Sequence, residues 1–430
     1  MGDRKAAERR VGFARLWARA KQIVTTDPRG SEEDDAVVDE EGARVLAAHA
    51  GRLKGGLAKV AQLAAMGATG GSQLALGKLW DAAPAVSAGA IAEVIEADLG
   101  RSPHQLFARW DATPIAAASL GQVHGARTHA GDEVVVKVQY PGVAEALRAD
   151  LDDDAFLRKL AGADLGRTLD DDALAALAAA VRSELDYRAE ATAQTRFAAA
   201  WAGDPVLRVP HVEAALSSAR VLTMARARGR SVTDLASTGD REARRAAAAA
   251  MFRFAWGSPL AHGLLNADPN PGNFLVDVAH DGAVAVWCLD FGCTVALPDE
   301  TRDADRDLWW GLLDEDTVRG AERFRVGLAR AGLLRRTDSL ATTSHRDWER
   351  ALAAPVAGHG DFAWTAAYAR ELADTTHRVL ATGNVRLPAR LLLLWRQRLG
   401  AAAMIALLDA QAPFRRALID LVGTGRSALR

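Results

Sequence analysis

Cysteine is nearly absent from this 430-residue chain: only Cys288 and Cys293 occur. A disulfide framework is therefore excluded, and two thiols alone make a poor zinc site. Both read best as small buried apolar side chains. An excess of one charge is also missing. The 53 Lys and Arg nearly balance the 55 Asp and Glu, leaving a net of −2, which argues against a nucleic-acid partner. Long apolar runs are lacking too. The tract 391–408 is broken by Arg396, Gln397 and Arg398, and 246–260 is short and carries Arg253. Neither approaches the roughly 18 apolar residues that a membrane-spanning helix needs. The N-terminus has no apolar segment of the secretory kind. Ala6 stands where a myristoylation signal after Gly2 wants Ser or Thr. These absences describe a cytoplasmic protein, and apolar residues at 49% allow a sizeable core.

The most informative stretch is Leu265–Thr294. Asp268 and Asn273 form D-x-x-x-x-N within A-D-P-N-P-G-N-F-L, and after an apolar run Asp290-Phe291-Gly292 form D-F-G. Pro, Asn and Gly also make ordinary turns, so D-x-x-x-x-N alone decides nothing. Its conjunction with an apolar strand and D-F-G is the order used by protein kinases. The residue types suit phosphoryl chemistry. Magnesium on a triphosphate takes oxygen ligands, which Asp290 and Asn273 supply. Asp268 can orient or deprotonate an attacking hydroxyl or water.

That reading makes demands elsewhere. Residues 113–139 read as a strand–loop–strand hairpin. Ala116, Ala117, Ala118 and Ser119 fall in a small-residue loop, and Lys137 lies on the strand Val134–Val138. Small residues let backbone N–H groups approach phosphates, and the lysine sits where kinases carry the one that touches the α- and β-phosphates. Residues 173–197 read as one helix that offers Glu184, Asp186 and Glu190 as partners for Lys137, and spacing does not choose among them. Strands are expected at 206–212 and 219–224. The second leads into a hinge where backbone near Met224 and Ala227 faces an adenine. Helices are expected at 43–66, 84–110, 232–265, 298–334, 345–382 and 387–408. Residues 4–24 form a basic amphipathic segment, which suits either an anionic membrane surface or a helix docked on its own protein.

Four segments together resemble the UbiB/AarF family of atypical, protein-kinase-like proteins: P-I-A-A-A-S-L-G-Q-V-H (114–124), V-V-V-K-V-Q-Y-P-G-V (134–143), E-L-D-Y-R-A-E (184–190) and A-D-P-N-P-G-N-F-L (267–275). The resemblance covers about residues 43–408. It implies an α+β, bilobal protein-kinase-like fold, mostly helical, with a helical N-terminal extension at 1–110, an N-lobe at 111–227 and a C-lobe at 228–430. It implies an ATP and Mg²⁺ site in which Ala116–Ser119 form the nucleotide loop, Glu190 partners Lys137, and Asp268, Asn273 and Asp290 take the roles given above. Lys59 and Gln62 match the family's K-x-G-Q signature, with Ala61 in place of Gly. The family sets that helix over the site as a lid, near Glu184 and Asp186. Asn266 stands where members often carry His or Gln, and Ala225 where many carry Glu.

The implied function is an atypical kinase or ATPase that supports isoprenoid-quinone (ubiquinone) biosynthesis or related lipid metabolism. Its partners would be a nucleotide and a lipid or quinone precursor, with peripheral placement on the inner face of the membrane as an option. A serine/threonine protein kinase and a non-catalytic nucleotide-sensing scaffold are the alternatives. Sequence alone does not fix the oligomeric state.

Overall fold

A computed structural model describes residues 86–118, 120–151, 171–238, 240–334, 342–385 and 387–423. The basic segment at 4–24, the helix expected at 43–66 with Lys59 and Gln62, and Ser119 lie outside the described residues. The chain divides into two compact units. The first takes its described residues from 86–151, 177–188 and 212–226, and the second from 171–176, 189–211 and 227–423.

The first unit is a four-stranded antiparallel sheet with a helix against it. Helix α1 (Ala88–Leu99) starts at Ser87, whose hydroxyl accepts from the Ala90 N–H, and stops at left-handed Gly100. Strands β1 (Arg109–Ala118), β2 (Gly121–Arg127) and β3 (Glu133–Gln139) run in chain order, and β4 (Val221–Ala225) lies beside β3. Ile91, Val94 and Ile95 of α1 pack with Val134, Val136 and Val138 of β3 and Val221 of β4 to make the core. The period of two along β3 sends these valines to one face. Gly121 is required by a close approach. A Cβ there would fall inside van der Waals contact of the Val138 carbonyl oxygen.

Three expectations need correction. The small-residue loop is shorter than residues 116–121: Ala116, Ala117 and Ala118 belong to β1 and pair with Val123, Gln122 and Gly121. The strand extends because its backbone groups gain ladder partners there. Trp110, expected to end a helix, also lies in β1. Residues 173–197 are not one helix but α2 (Asp171–Ser183) and α3 (Tyr187–Ala200), parted by Glu184–Asp186. Asp186 immediately precedes α3, and its carboxylate accepts from the Arg188 N–H at 3.0 Å, an N-cap that starts a new helix.

The second unit is mainly helical. Helix α4 (Arg241–Phe252) runs on through a π-helical turn, Arg253–Gly257, into a short helix that ends at His262. Then come β5 (Leu264–Asn266), β6 (Phe274–Val278), β7 (Val284–Cys288) and β8 (Thr294–Ala296). Helices α5 (Asp299–Leu313), α6 (Thr317–Ala331), α7 (Thr343–Ala357), α8 (Ala366–Ala381), α9 (Ala389–Leu407) and α10 (Phe414–Gly423) complete it. The strand expected at 206–212 is reduced to Leu207–Arg208, parallel to β7. The Gly311 and Gly327 backbones lie where a Cβ would clash with Phe324 and Leu308, which lets α5 and α6 pack closely. Phe252, Trp256, Trp364 and Phe414 form an aromatic core, with ring centroids 4.4–6.0 Å apart. Neither cysteine is in a disulfide, and both are buried. Burial and the Asp204 charge push the Cys288 thiol far above its ordinary value, so it is not a reactive thiolate.

Candidate functional site

In the second unit, two short ladders bring the distant motifs together. Strand β5 leads into the D-x-x-x-x-N loop and pairs with β8, which follows D-F-G: Asn266 opposes Thr294 and Leu264 opposes Ala296. Strand β6 leaves that loop and pairs with β7, which precedes D-F-G: Phe274 opposes Cys288 and Val278 opposes Val284. The Ala267 N–H to Cys293 carbonyl bond (2.8 Å) and the Leu289 N–H to Asn273 carbonyl bond (2.9 Å) continue the ladders to the edges of both loops. Chain topology alone thus fixes Asp268, Asn273 and Asp290 side by side.

Side chains complete the arrangement. Asn273 donates through Nδ2 to the Asp268 carbonyl at 3.0 Å and to Asp268 Oδ2 at 3.3 Å. With its nitrogen so used, its Oδ1 is the atom left for an external partner. Asp290 Oδ1 accepts from the Gly292 N–H at 2.9 Å, a local turn that orients the D-F-G carboxylate. Asn266 joins the two loops: its Oδ1 accepts from the Asp268 N–H at 3.2 Å and its Nδ2 donates to the Asp290 carbonyl at 2.7 Å. Asp268 is buried, while Asn273 and Asp290 are half-buried. Glu190, on α3, is 2% exposed, and its Oε1 accepts from the Phe291 N–H at 3.5 Å.

Helix α9 supplies partners that sequence reasoning had counted only as interruptions of an apolar run. Arg396 donates through Nε to the Ala267 carbonyl at 2.5 Å and through Nη2 to Asp268 Oδ1 at 3.3 Å. Gln397 accepts from the Asn266 N–H at 2.8 Å and donates to the Ala255 carbonyl at 2.7 Å, on the π-helical turn. Arg398 grips Asp305 through both carboxylate oxygens at 2.7 and 2.6 Å, with Trp309 under its guanidinium. Three consecutive polar residues inside a buried helix were the signal: burying them demands partners.

The first unit holds the remaining expected residues. Lys137 is 8% exposed on β3, opposite Val123 and Leu222, and its ammonium stands 5.0 Å from the Tyr187 ring centroid. Ala116 and Ala117 are exposed and Ala118 half-buried. Met224 is buried within β4, opposite Val135, and the strand runs on to Ala225. Ala227 is half-buried and belongs to the second unit. Glu184 is buried and Asp186 exposed at the α2–α3 break, which Gln139 secures by donating to the Leu185 carbonyl at 3.1 Å.

Gln122 and His124, inside the most specific motif, build structure. Gln122 Oε1 accepts from the Val86 N–H at 3.0 Å, and its Nε2 faces the Val86 carbonyl at 3.2 Å and His124 Nε2 at 3.0 Å. His124 Nδ1 lies 2.9 Å from the Asp111 carbonyl, an acceptor, so that nitrogen carries the proton. Trp110 stacks on the imidazole at 4.7 Å.

These ladders and motif positions define a protein-kinase-like fold, and the comparisons name the family. The chain belongs to the ABC1 atypical kinase-like family, whose model matches residues 78–323; this is the UbiB/AarF family that the motifs resemble. An uncharacterized protein of Synechocystis is 31% identical over 62% of this chain and 45% of its own length. An uncharacterized protein of Mycobacterium tuberculosis is 30% identical over 74% of this chain and 64% of its own. The mitochondrial atypical kinase COQ8 of Saccharomyces cerevisiae is 32% identical over 47% of this chain and 40% of its own. The chain therefore spans about half the length of the curated relatives it matches. Among solved structures, the Mycobacterium tuberculosis protein Rv3197 in complex with erythromycin matches with a TM-score of 0.61 and 27% identity, over 90% of this chain and 97% of that one.

Proposed function

We propose that this protein is an atypical kinase or ATPase of the UbiB type that binds Mg-ATP and supports isoprenoid-quinone (ubiquinone) biosynthesis or related lipid metabolism. The observation that carries the proposal is the paired-ladder arrangement of Asp268, Asn273 and Asp290 in a chain of the ABC1 family. The donor set fits magnesium. Asn273 Oδ1 and the Asp290 carboxylate are hard oxygen ligands, and no three His, Cys, Asp or Glu gather as a metal site among the described residues. Magnesium commonly takes one or two protein oxygens and fills its shell with phosphate and water, and it supplies charge neutralisation on the phosphates. Asn273 and Asp290 would hold it. Lys137 would neutralise the α- and β-phosphates, with Glu190 as its partner, and the exposed Ala116–Ala118 edge with Ser119 would lie over them. Met224 and Ala227 would flank the base. Asp268 would accept a hydrogen bond from the attacking water or hydroxyl and fix its direction.

Lys59 and Gln62, with Glu184 and Asp186, are proposed as the lid that keeps protein substrates out, which favours ATP hydrolysis or small-molecule phosphorylation. No helix among the described residues is long and apolar enough to cross a membrane, and the basic segment at 4–24 is proposed to place the protein peripherally on the cytoplasmic membrane face, where a lipid or quinone precursor is available. The test is ATP hydrolysis by purified protein with Mg²⁺, with and without liposomes or a phenolic quinone-precursor mimic. Turnover that rises with lipid or phenol is expected. Nucleotide binding without turnover under every condition would favour the non-catalytic scaffold, and transfer to added proteins would favour an ordinary protein kinase.

A further inference from the structure

We propose that Arg396 is a positioning residue for the candidate reaction: from α9 it fixes both the backbone and the carboxylate of the catalytic-loop segment Ala267–Asp268. This inference rests on the function proposed above and concerns a residue outside the motifs.

Three observations carry it. Arg396 bonds the Ala267 carbonyl and the Asp268 side chain with two different nitrogens, so it sets a direction as well as a distance. Arginine alone among the cations presents a rigid planar fork suited to such a double contact. Both charges are buried, at 8 and 7% exposure. A buried ion pair is expensive to desolvate and is weak evidence for stability, so its placement at the candidate catalytic carboxylate needs another account. The whole α9 face is directed at the same loop. Gln397 holds Asn266, and Gly400 lies so close to Pro269 that a Cβ would overlap its ring.

The chemical consequence concerns Asp268. A carboxylate held by a guanidinium on one oxygen and by Asn273 on the other is fixed in orientation.

The experiment compares wild type, R396M and R396K for kcat and for KM for Mg-ATP, with folding checked by circular dichroism. In R396M, kcat is expected to fall by about 10²-fold, the size of a misplaced catalytic group. KM should change less than about threefold, since the ATP-holding residues are untouched. R396K keeps the charge but not the fork, so its kcat should fall by roughly tenfold. A folded R396M with kcat within threefold of wild type overturns the proposal. If R396M does not fold, a wild-type rate in R396K does so instead. If wild type itself has no turnover, the failure lies with the proposed function. The pairing is then judged by thermal unfolding of D268N, R396M and the double variant, where strict additivity overturns it.

Discussion

The strand β2 region and the Asn266–Asp290 region are both rich in polar motif residues, yet they use them in opposite ways. Gln122 and His124 are fully buried and spend their polar atoms on backbone at Val86 and Asp111. They hold the start of α1 to the sheet and leave nothing for a ligand. Asn273 and Asp290 are half-buried: Asn273 keeps its amide oxygen for an outside partner, and the Gly292 N–H orients the Asp290 carboxylate. Family-specific motifs therefore mark two kinds of position. One kind fixes the scaffold and the other is proposed to carry chemistry, and burial of the polar atom separates them.

The first way to sharpen that contrast is Gly121→Ala, which should act on the scaffold alone. The new Cβ meets the Val138 carbonyl oxygen, a backbone atom of the central strand that cannot step aside. A loss of about 3 kcal/mol in denaturant unfolding is expected, the upper end for overpacking. A smaller step is Gln122→Ala. It strands the Val86 backbone groups and His124 Nε2 in the interior, and each unsatisfied buried group costs about 1–3 kcal/mol. Stability should fall by about 2 kcal/mol. Turnover per folded molecule should stay unchanged, and a selective loss of kcat would place Gln122 with the chemistry.

Acid supplies a gentler probe. Burial holds His124, His262 and His345 below the ordinary imidazole value. For His124 the geometry agrees, because a second ring proton would point at the Gln122 amide nitrogen. The unfolded chain takes up protons near pH 6.5 while the folded one resists, so the stability these residues contribute is complete above about pH 6.5 and is lost as pH falls below it. The melting temperature should be lower at about pH 5.5 than at about pH 7.5, with a shallower slope in His124→Asn. The smallest effect is expected for Asp186→Ala, which removes the α3 cap and should cost about 1 kcal/mol. A larger loss in Mg-ATP turnover than in stability would give Asp186 the lid role that the family resemblance implies.

Much of this was legible in the sequence, for reasons that differ by residue. The period of two in V-V-V-K-V and the isolated apolar run before D-F-G identify β3 and β7, because alternation and β-branching are local properties. The proximity of Asp268 to Asp290 follows from their motif order. The break at Glu184–Asp186 was not legible from helical propensity. It depends on Asp186 capping and on Gln139 reaching the Leu185 carbonyl from another strand. Arg396 and Gln397 were equally hidden. Their roles need partners about 130 residues away, and a polar residue in an apolar helix announces only that some partner exists. Asn266 was visible as a departure from the family's usual residue, but its bridging of the two loops required coordinates.

The most direct test of the central claim, that Asp268 acts on the nucleophile while Asn273 and Asp290 serve the metal, is ATP turnover by Asp268→Asn alongside Mg-ATP binding by the same variant. The account expects turnover to fall to background while binding stays within a few-fold of wild type. Hydrolysis by that variant at the wild-type rate would contradict it.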